Sequence, residues 1–379
     1  MVVLKNSTVQ SLYGEIDLEN TFTFATDDAE LTRQLSFAER VSCILKERYL
    51  KKPLAFVHTY GCQQNVSDSE RLKGLLAVMG YGFTDELENA DFVLYNTCAV
   101  REHAEDRVLG NVGVLKACKR KRPGMIIAIC GCMAQQPEVV EKIKKSYPYV
   151  DILFGTHVRH KLPEFVYNRL NGSKRIFENP ETNEPFKEGV PLRRDGTFKA
   201  WLPIMQGCNN FCSYCIVPYT RGRENSREPE AVLKEAELLI KSGAKEIMLL
   251  GQNVNSYGKG NKDNTDFADL LRAVNALPGD FRIRFMTSHP KDCSDKLLLA
   301  MSECEKVEKH LHLPVQCGSD RILSLMNRRY NTEAYLKLID KARELMPDIQ
   351  NTRDSTEGFP GESHDDFKQT AERIKRVEH

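Results

Sequence analysis

Short apolar segments alternate with helical stretches along most of this chain, and this alternation constrains the fold more than any other feature. Four such segments, at residues 54–59, 91–96, 125–130 and 151–154, are almost entirely apolar, and each is followed by a helical pattern. Strands that are buried on both faces of a parallel sheet read as apolar runs of this kind. The pattern therefore predicts an α/β fold that begins with a doubly wound parallel sheet.

The chain has 379 residues, which is enough for two domains. We expect an arm and one helix at 1–52, a first α/β domain at 53–171, and a linker at 172–200, where the sequence is polar and rich in Gly, Pro and charge. A second series of strands and helices occupies 201–379 and predicts a partial barrel of parallel strands. Its strands are expected at 201–205, 246–250, 282–286 and 310–315.

Composition narrows the class of protein. Twelve cysteines in this length fall below the density of a disulfide scaffold, and the N-terminus has no long apolar segment of the kind that directs export. No run of about 18 apolar residues could span a membrane. We therefore expect a cytoplasmic protein with reduced thiols. The net charge of +1 means that any nucleic-acid binding must come from local patches.

Cys208, Cys212 and Cys215 form a C-x3-C-x2-C motif near the start of the second domain. Three close thiolates without a fourth can hold a four-iron cluster and leave one iron open for chemistry. The alternative is a structural zinc site with a distant fourth ligand such as His289 or Cys317. Zinc sites usually pair two C-x2-C units, and this region has one. The motif favours the iron–sulfur interpretation.

Cys62, Cys98 and Cys132 each come just after a predicted strand, 36 and 34 residues apart. Because parallel strands point their carboxyl ends to one edge of the sheet, the three thiols are expected to converge there and to hold a second cluster. The alternative is that they are buried structural cysteines. That interpretation suits the other thiols, which are Cys43, Cys118, Cys130, Cys293 and Cys304.

Basic side chains are grouped at three places, and each group suits either a phosphate backbone or a solvated face. The groups are Lys116 with Lys119, Arg120, Lys121 and Arg122; Arg221 with Arg223 and Arg227; and Arg328 with Arg329. Phe211 and Tyr214, inside the cysteine loop, could shield a cluster or simply pack. His157 and His160 are expected at the surface.

Over residues 54–348 the sequence resembles the radical S-adenosylmethionine methylthiotransferases, in their tRNA branch. The resemblance rests on eight segments: TYGCQQN (59–65), SDSE (67–70), NTCAVR (96–101), GCMAQ (131–135), the cysteine loop with PYTRG (218–222), LGQNV (250–254), TSHP (287–290) and HLPVQ (312–316). It implies two [4Fe-4S] clusters held by the two cysteine trios. It also implies S-adenosylmethionine contacts from Gln252, Asn253, Gln316 and Glu362. From their charge, Arg221, Arg223 and Arg227 are expected to contact the RNA.

The reaction implied by the resemblance converts N6-isopentenyladenosine at position 37, next to the anticodon of a tRNA, to its 2-methylthio derivative. S-adenosylmethionine cleaved at the first cluster would yield a radical that takes hydrogen from C2 of the adenine, and the second cluster would carry the sulfur. A flavodoxin- or ferredoxin-like electron donor and a sulfur source are the expected partners, and a monomer is the expected state.

The sequence departs from the family pattern at two places. Ser355, Thr356 and Glu357 are polar where the family has an apolar strand, which puts the fifth barrel strand in doubt. The chain also ends before the family's last barrel unit and its RNA-binding β-barrel domain, so a C-terminally truncated enzyme is expected. Two rival functions therefore remain: a methylthiotransferase acting on an aspartate of a ribosomal protein, and a non-catalytic iron–sulfur or zinc RNA-binding protein.

Overall fold

The computed structural model describes residues 9–11, 14–16, 21–24, 26–99, 102–181, 185–261 and 264–378. Most of the expected N-terminal arm, and positions 100 and 101 of the NTCAVR segment, lie outside these residues. The chain divides into two compact units. The first comprises Met1–Gly196 with Tyr219–Gly222, and the second comprises Thr197–Pro218 with Arg223–His379.

The first unit is built on a six-stranded parallel sheet with the strand order β5-β4-β6-β7-β8-β9. Its strands are β1 (Val9–Ser11), β2 (Gly14–Ile16), β3 (Thr21–Phe22), β4 (Leu54–Tyr60), β5 (Gly82–Phe83), β6 (Phe92–Thr97), β7 (Ile126–Gly131), β8 (Ile152–Phe154), β9 (Ile176–Glu178) and β10 (Leu192–Arg193). Its helices are α1 (Ala29–Arg48), α2 (Gln63–Val78), α3 (Glu102–Lys121), α4 (Pro137–Ser146) and α5 (Leu162–Leu170). The predicted doubly wound sheet is confirmed.

Helices cover both faces of this sheet because its strands are apolar on both sides. In β6, Phe92 and Leu94 pack with α1, α2 and α5, whereas Val93 and Tyr95 pack with α3 and α4. Two separate cores result, one on each face. Residues 172–200, which were expected as a linker, contribute β9 to the edge of the sheet, and β10 pairs with β3. The exact domain limits stay predictions.

The second unit contains a parallel sheet of order β11-β14-β15 and a parallel pair β16-β17. Its strands are β11 (Lys199–Pro203), β12 (Met205–Gln206), β13 (Asn225–Ser226), β14 (Glu246–Leu250), β15 (Arg282–Phe285), β16 (His310–His312) and β17 (Gln350–Thr352). The short helix α6 (Val217–Arg221) has its first two residues in the second unit and its last three in the first. The other helices of the second unit are α7 (Pro229–Lys241), α8 (Phe267–Ala276), α9 (Asp295–Glu303), α10 (Asp320–Leu325), α11 (Thr332–Leu345) and α12 (His364–Glu378).

These strands confirm a partial barrel of the predicted type. A parallel bridge between Ile283 and Val307 continues the sheet toward β16. The doubtful fifth strand is present only as the three residues of β17, followed by a single bridge between Gln316 and Ser355. Polar side chains at 355–357 explain this, because they do not favour a buried parallel strand. None of the helices in the described ranges is long and apolar enough to cross a membrane.

Candidate metal centres

The three cysteines of the first unit follow strands that end side by side. Tyr60 of β4 is paired with Thr97 of β6, and Thr97 is paired with Gly131 of β7. Cys62 comes two residues after the first strand, and Cys98 and Cys132 come one residue after the other two. The sheet therefore brings all three to one carboxyl edge, as the spacing of about one βα unit predicts.

A network of hydrogen bonds fixes this edge. Asn65 and Asn96 are joined by two hydrogen bonds: Asn65 Nδ2 donates to Asn96 Oδ1 at 3.1 Å, and Asn96 Nδ2 donates to the main-chain carbonyl of Asn65 at 2.8 Å. Cys62 Sγ lies 3.3 Å from Asn65 Oδ1, and the Cys132 N–H donates to the Thr97 carbonyl at 2.9 Å. The first turn of α2 and the ends of β6 and β7 are thus joined at the thiols.

Gly131 makes this close packing possible. Its φ of +98° lies in the left-handed region, and a Cβ at this position would lie 2.3 Å from the Thr97 carbonyl oxygen. Any side chain there would push apart the strands that carry Cys98 and Cys132.

A buried group of charges lies beside these thiols. Asp68 Oδ2 accepts hydrogen bonds from Arg159 and Arg221, each at 2.9 Å, and all three side chains are largely buried. Burial alone would lower the pKa of Arg221, but the Cys132 thiol, Asp68 and the Cys62 thiol together raise it. One carboxylate faces two guanidiniums, so a net positive charge is left next to Cys62 and Cys132.

The cysteine loop of the second unit is held by the connection between α10 and α11. Asn327 Nδ2 donates to the Phe211 carbonyl at 2.8 Å and to the Asn210 carbonyl at 3.2 Å, and the Ser213 N–H donates to the Met326 carbonyl. Phe211 has a φ of +49°, which turns the chain sharply between the first and second cysteines. No sequence pattern indicates that residues more than a hundred positions away anchor this loop.

The three thiols of this loop lie within one another's electrostatic range. The pKa of Cys208 is raised to about 11, mainly by burial, and the negative charges of Glu224 and of the other two thiols contribute to the rise. Burial also raises the pKa of Cys215. Arg328 Nη1 lies 3.4 Å from Cys212 Sγ and places a positive charge at the site. Binding of a metal to such thiols releases protons, so it is favoured as the pH rises.

The donor chemistry of both trios suits iron–sulfur clusters. Among the described residues, no three His, Cys, Asp or Glu side chains lie close enough to hold a single metal ion. The proposed zinc partners have other contacts: His289 Nδ1 accepts from the Lys291 N–H, and Cys317 Sγ contacts Thr370 Oγ1 at 3.3 Å. A four-iron cluster is wider than one ion and separates its cysteine ligands accordingly. Two sets of three thiols fit that group, and the ligand assignments stay predictions.

All four residues predicted to contact S-adenosylmethionine form hydrogen bonds within the protein. Gln252 Oε1 accepts from the Gly207 N–H at 2.6 Å, directly before the cysteine loop. Glu362 Oε2 accepts from the backbone N–H groups of Gly358 and Phe359. Gln316 has a φ of +62° and bonds Thr356 through its side chain. Asn253 Nδ2 donates to Asp292, which leaves its Oδ1 buried without a partner.

Two further residues with unsatisfied polar atoms follow β15. Ser288 Oγ and His289 Nε2 are buried and have no hydrogen-bond partner, like Asn253 Oδ1 after β14. His289 Nδ1 accepts a hydrogen bond, so the ring proton is on Nε2, and burial lowers the pKa of the ring to about 3. Buried unsatisfied groups at the carboxyl ends of parallel strands fit a polar cofactor there. The TSHP segment was the sequence signal for these residues.

Some side chains of the three basic groups are buried in ion pairs, and others are exposed. Arg227 is buried and pairs with Glu235 at 2.8 Å, and Arg221 is buried against Asp68 as described above, so neither side chain is available to RNA. Their predicted RNA contacts are therefore withdrawn. Arg223 is exposed and lies over the Phe211 ring at 4.2 Å. The remaining exposed members of these groups are Lys116, Arg120, Lys121 and Arg329. His160 is buried, contrary to expectation.

Comparison with known proteins first gives the class. Residues 202–374 match the Radical SAM superfamily, and residues 54–155 match Uncharacterized protein family UPF0004. The fold is similar to that of the radical S-adenosylmethionine methyltransferase TsrM from Kitasatospora setae, with a TM-score of 0.63 at 14% identity over 86% of this chain and 72% of that one. The radical enzyme OxsB gives a TM-score of 0.61 at 12% identity, over 94% and 58%. The chain is a radical S-adenosylmethionine protein by domain and fold.

Closer relatives give the family. The chain is 50% identical to the tRNA-2-methylthio-N(6)-dimethylallyladenosine synthase of Acetivibrio thermocellus, over 92% of this chain and 73% of that protein. It is 51% identical to the synthase of the same name from Caldicellulosiruptor saccharolyticus, over 91% and 74%. The chain belongs to the tRNA-2-methylthio-N(6)-dimethylallyladenosine synthase family, which confirms the resemblance seen in the sequence.

Proposed function

We propose that this protein is a tRNA methylthiotransferase that converts N6-isopentenyladenosine at position 37 to 2-methylthio-N6-isopentenyladenosine. The proposal includes two [4Fe-4S] clusters, one held by Cys208, Cys212 and Cys215 and one by Cys62, Cys98 and Cys132. When bound, the two clusters supply an electron for the cleavage of S-adenosylmethionine and a site for the sulfur that is transferred.

The observation that carries the proposal is the common edge of β4, β6 and β7. Three strands in register end one or two residues before three cysteines, and a second set of three cysteines lies in one loop of the other unit. A zinc-binding or purely structural role does not require two sets of exactly three thiols. The names of the relatives support the same reaction.

The residues of the chain would position the cofactors and exclude water. Arg328 and the pair Arg159 and Arg221 place positive charge beside the two sets of thiols, which offsets the negative charge of a thiolate-bound cluster. His289 Nε2–H is a buried donor suited to a carboxylate or ribose oxygen of S-adenosylmethionine, and Asn253 Oδ1 and Ser288 Oγ can accept from its amino or hydroxyl groups.

The substrate is chosen on chemical grounds as well. An isopentenyl chain offers apolar surface that contributes about 25 cal/mol per Å² when buried, and bare adenosine lacks it. The C2 edge of the base must also leave the stack, which favours an anticodon loop over a duplex. The proposal extends to a flavodoxin- or ferredoxin-like electron donor, a sulfur source and a cytoplasmic, monomeric enzyme.

The test is the reaction itself. Anaerobically reconstituted protein is incubated with S-adenosylmethionine, dithionite, sulfide and tRNA that carries N6-isopentenyladenosine, and the digested nucleosides are analysed by mass spectrometry. We expect a methylthio adduct on the prenylated nucleoside and little on the same tRNA without the prenyl group. Equal modification of both tRNAs would contradict the substrate assignment. A product found only on a ribosomal protein, or iron-free protein that binds RNA without turnover, would establish one of the rival functions.

A further inference from the structure

Arg328 is a buried guanidinium without a carboxylate partner. It is 6% exposed, and none of the salt bridges among the described residues includes it. Arg221 and Arg227 are similarly buried, and they pair with Asp68 and Glu235 respectively. Because an unpaired buried charge is costly, an anionic group of another kind is expected beside Arg328.

The contacts of the three guanidinium nitrogens indicate which group this is. Nε lies 3.4 Å from the Tyr330 hydroxyl, and Nη2 lies 3.4 Å from the Pro314 carbonyl oxygen. Burial raises the pKa of Tyr330 and of the neighbouring Tyr214, so both phenols stay neutral. Nη1 donates to Cys212 Sγ at 3.4 Å. A cysteine is a thiolate when it binds a metal, so Cys212 in a loaded site is the anion that Arg328 lacks.

A positive charge that is hydrogen-bonded to a cluster ligand raises the reduction potential of the cluster. Net charge and hydrogen bonds to the sulfurs are two of the quantities that set this potential. The thiolate ligands make a four-iron cluster anionic, and reduction adds a further negative charge. A guanidinium at Cys212 therefore favours the reduced form, and its effect is strong because burial keeps solvent from screening it.

We propose that the charge of Arg328 sets the reduction potential of the cluster in the cysteine loop, and so decides how readily a low-potential one-electron donor reduces it. The inference rests on the proposed function for the presence of this cluster. Arg328 acts through Cys212 as a positioning residue and takes no part in bond breaking. Asn327, the residue before it, holds the Phe211 and Asn210 carbonyls, so one turn fixes both the guanidinium and the cysteine loop.

The experiment measures the midpoint potential of this cluster in the reconstituted protein without tRNA, by electron paramagnetic resonance at a series of potentials set with dithionite and mediators. The loop cluster is recognised as the one whose signal changes when S-adenosylmethionine is added. Arg328→Gln removes the charge and Arg328→Lys keeps it, while both lose the planar fork of nitrogens. We expect Arg328→Gln to lower the potential by at least about 59 mV, a tenfold loss in the equilibrium constant of one-electron reduction, and Arg328→Lys to lower it less.

Two controls separate charge from structure. Arg329→Gln removes the same charge from the exposed neighbour and should leave the potential unchanged, because solvent screens that charge. Tyr330→Phe removes the hydroxyl that donates to the Val315 carbonyl at 2.8 Å and leaves every charge in place. It should lower the melting temperature and change the potential little.

Three results would overturn the proposal: a wild-type potential in Arg328→Gln, equal falls in Arg328→Gln and Arg328→Lys, or loss of the loop cluster from either variant. A wild-type potential with weaker binding of S-adenosylmethionine would assign Arg328 to that cofactor instead, near His289, whose ring lies 5.6 Å from the Tyr330 ring. Wild-type protein without a cluster that responds to S-adenosylmethionine would overturn the proposed function and this inference together. Absence of methylthiolation with the expected shift in potential would count against the proposed function alone.

Discussion

The two cysteine trios are built in opposite ways. Cys208, Cys212 and Cys215 lie within eight consecutive residues and share one loop, whereas the other trio is spread over about 70 residues and meets only because three strands end in register. The loop needs anchors from elsewhere to keep its shape, and the α10–α11 connection supplies them. The strand-end site, formed by Cys62, Cys98 and Cys132, needs an intact sheet.

This difference predicts different vulnerabilities. The ligands of a local motif stay close together even when the rest of the domain is loosened. Only changes within or next to the loop should therefore disrupt the site of Cys208, Cys212 and Cys215. A site assembled from three strands depends on packing and on buried charges, so changes that never touch a cysteine should empty it. The predictions below separate these two behaviours.

The largest effect is expected from removing each trio in turn. Changing Cys208, Cys212 and Cys215 to Ala should abolish formation of 5′-deoxyadenosine, because no cluster remains to deliver the electron. Changing the strand-end trio to Ala should leave that reaction and prevent methylthiolation. Iron analysis and nucleoside mass spectrometry measure both. Full iron content in the second triple variant would show that the strand-end trio holds no cluster.

A smaller but still severe effect is expected at Asp68. In Asp68→Asn, the buried guanidiniums of Arg159 and Arg221 lose their shared carboxylate, which should cost about 3–5 kcal/mol of the free energy of unfolding. Urea unfolding of the apo-protein measures this loss. Iron at the strand-end site should fall with it.

The exposed salt bridge between Lys144 and Glu141 provides the control for this change. Glu141→Gln should leave the free energy of unfolding almost unchanged, because both partners are solvated. If Asp68→Asn proved equally mild, the buried charges would not be holding this edge of the sheet together.

Much of this architecture could be predicted from the sequence. The apolar runs located β4, β6, β7 and β14 to within one or two residues, because buried parallel strands must be apolar. The same reasoning placed Cys62, Cys98 and Cys132 at one edge. This reasoning succeeded because parallel strands end at the same edge of the sheet, so the residues that directly follow them lie close together.

The parts that could not be predicted depend on contacts distant in sequence. Arg221 and Arg227 resembled RNA-binding residues because a charge in a sequence carries no sign of its partner, and Asp68 lies 153 residues from Arg221. The anchoring role of Asn327 and the burial of the Asn255 amide, which has no hydrogen-bond partner, were hidden for the same reason. Tertiary packing decides which polar side chains are buried, and the spacing of residues in the sequence does not predict it.

Gly131→Ala should break the register of the strand-end site without changing charge. A Cβ at this residue would meet the Thr97 carbonyl and would force a side chain into the left-handed region, for a cost on the order of 2–4 kcal/mol. Denaturant unfolding and iron content should both fall. Gly113→Ala on α3 is the matched control, because nothing lies within 4 Å of its Cβ, and it should be neutral or stabilising by up to about 1 kcal/mol. Comparable losses in the two variants would argue against the close approach of β6 and β7.

The smallest effect is expected where the loop site is anchored, at Asn327. Asn327→Gly keeps the left-handed backbone, with its φ of +56°, and removes two hydrogen bonds to the Phe211 and Asn210 carbonyls. The expected cost is about 1–2 kcal/mol, and Asn327→Ala should cost about 1 kcal/mol more because alanine disfavours that backbone. Chelator-induced iron release should accelerate for the loop cluster alone.

Asn264 offers a control with the same backbone conformation, a φ of +55°, at an exposed position. Asn264→Ala should carry the backbone cost but leave the rate of iron release unchanged, because the side chain does not reach the cysteine loop. Iron release from reconstituted protein, followed by absorbance after addition of a chelator, distinguishes the two variants. If Asn327→Gly released iron at the wild-type rate, the loop would hold its shape through its own sequence. The loop site would then be independent of distant residues, whereas the site of Cys62, Cys98 and Cys132 depends on the whole sheet.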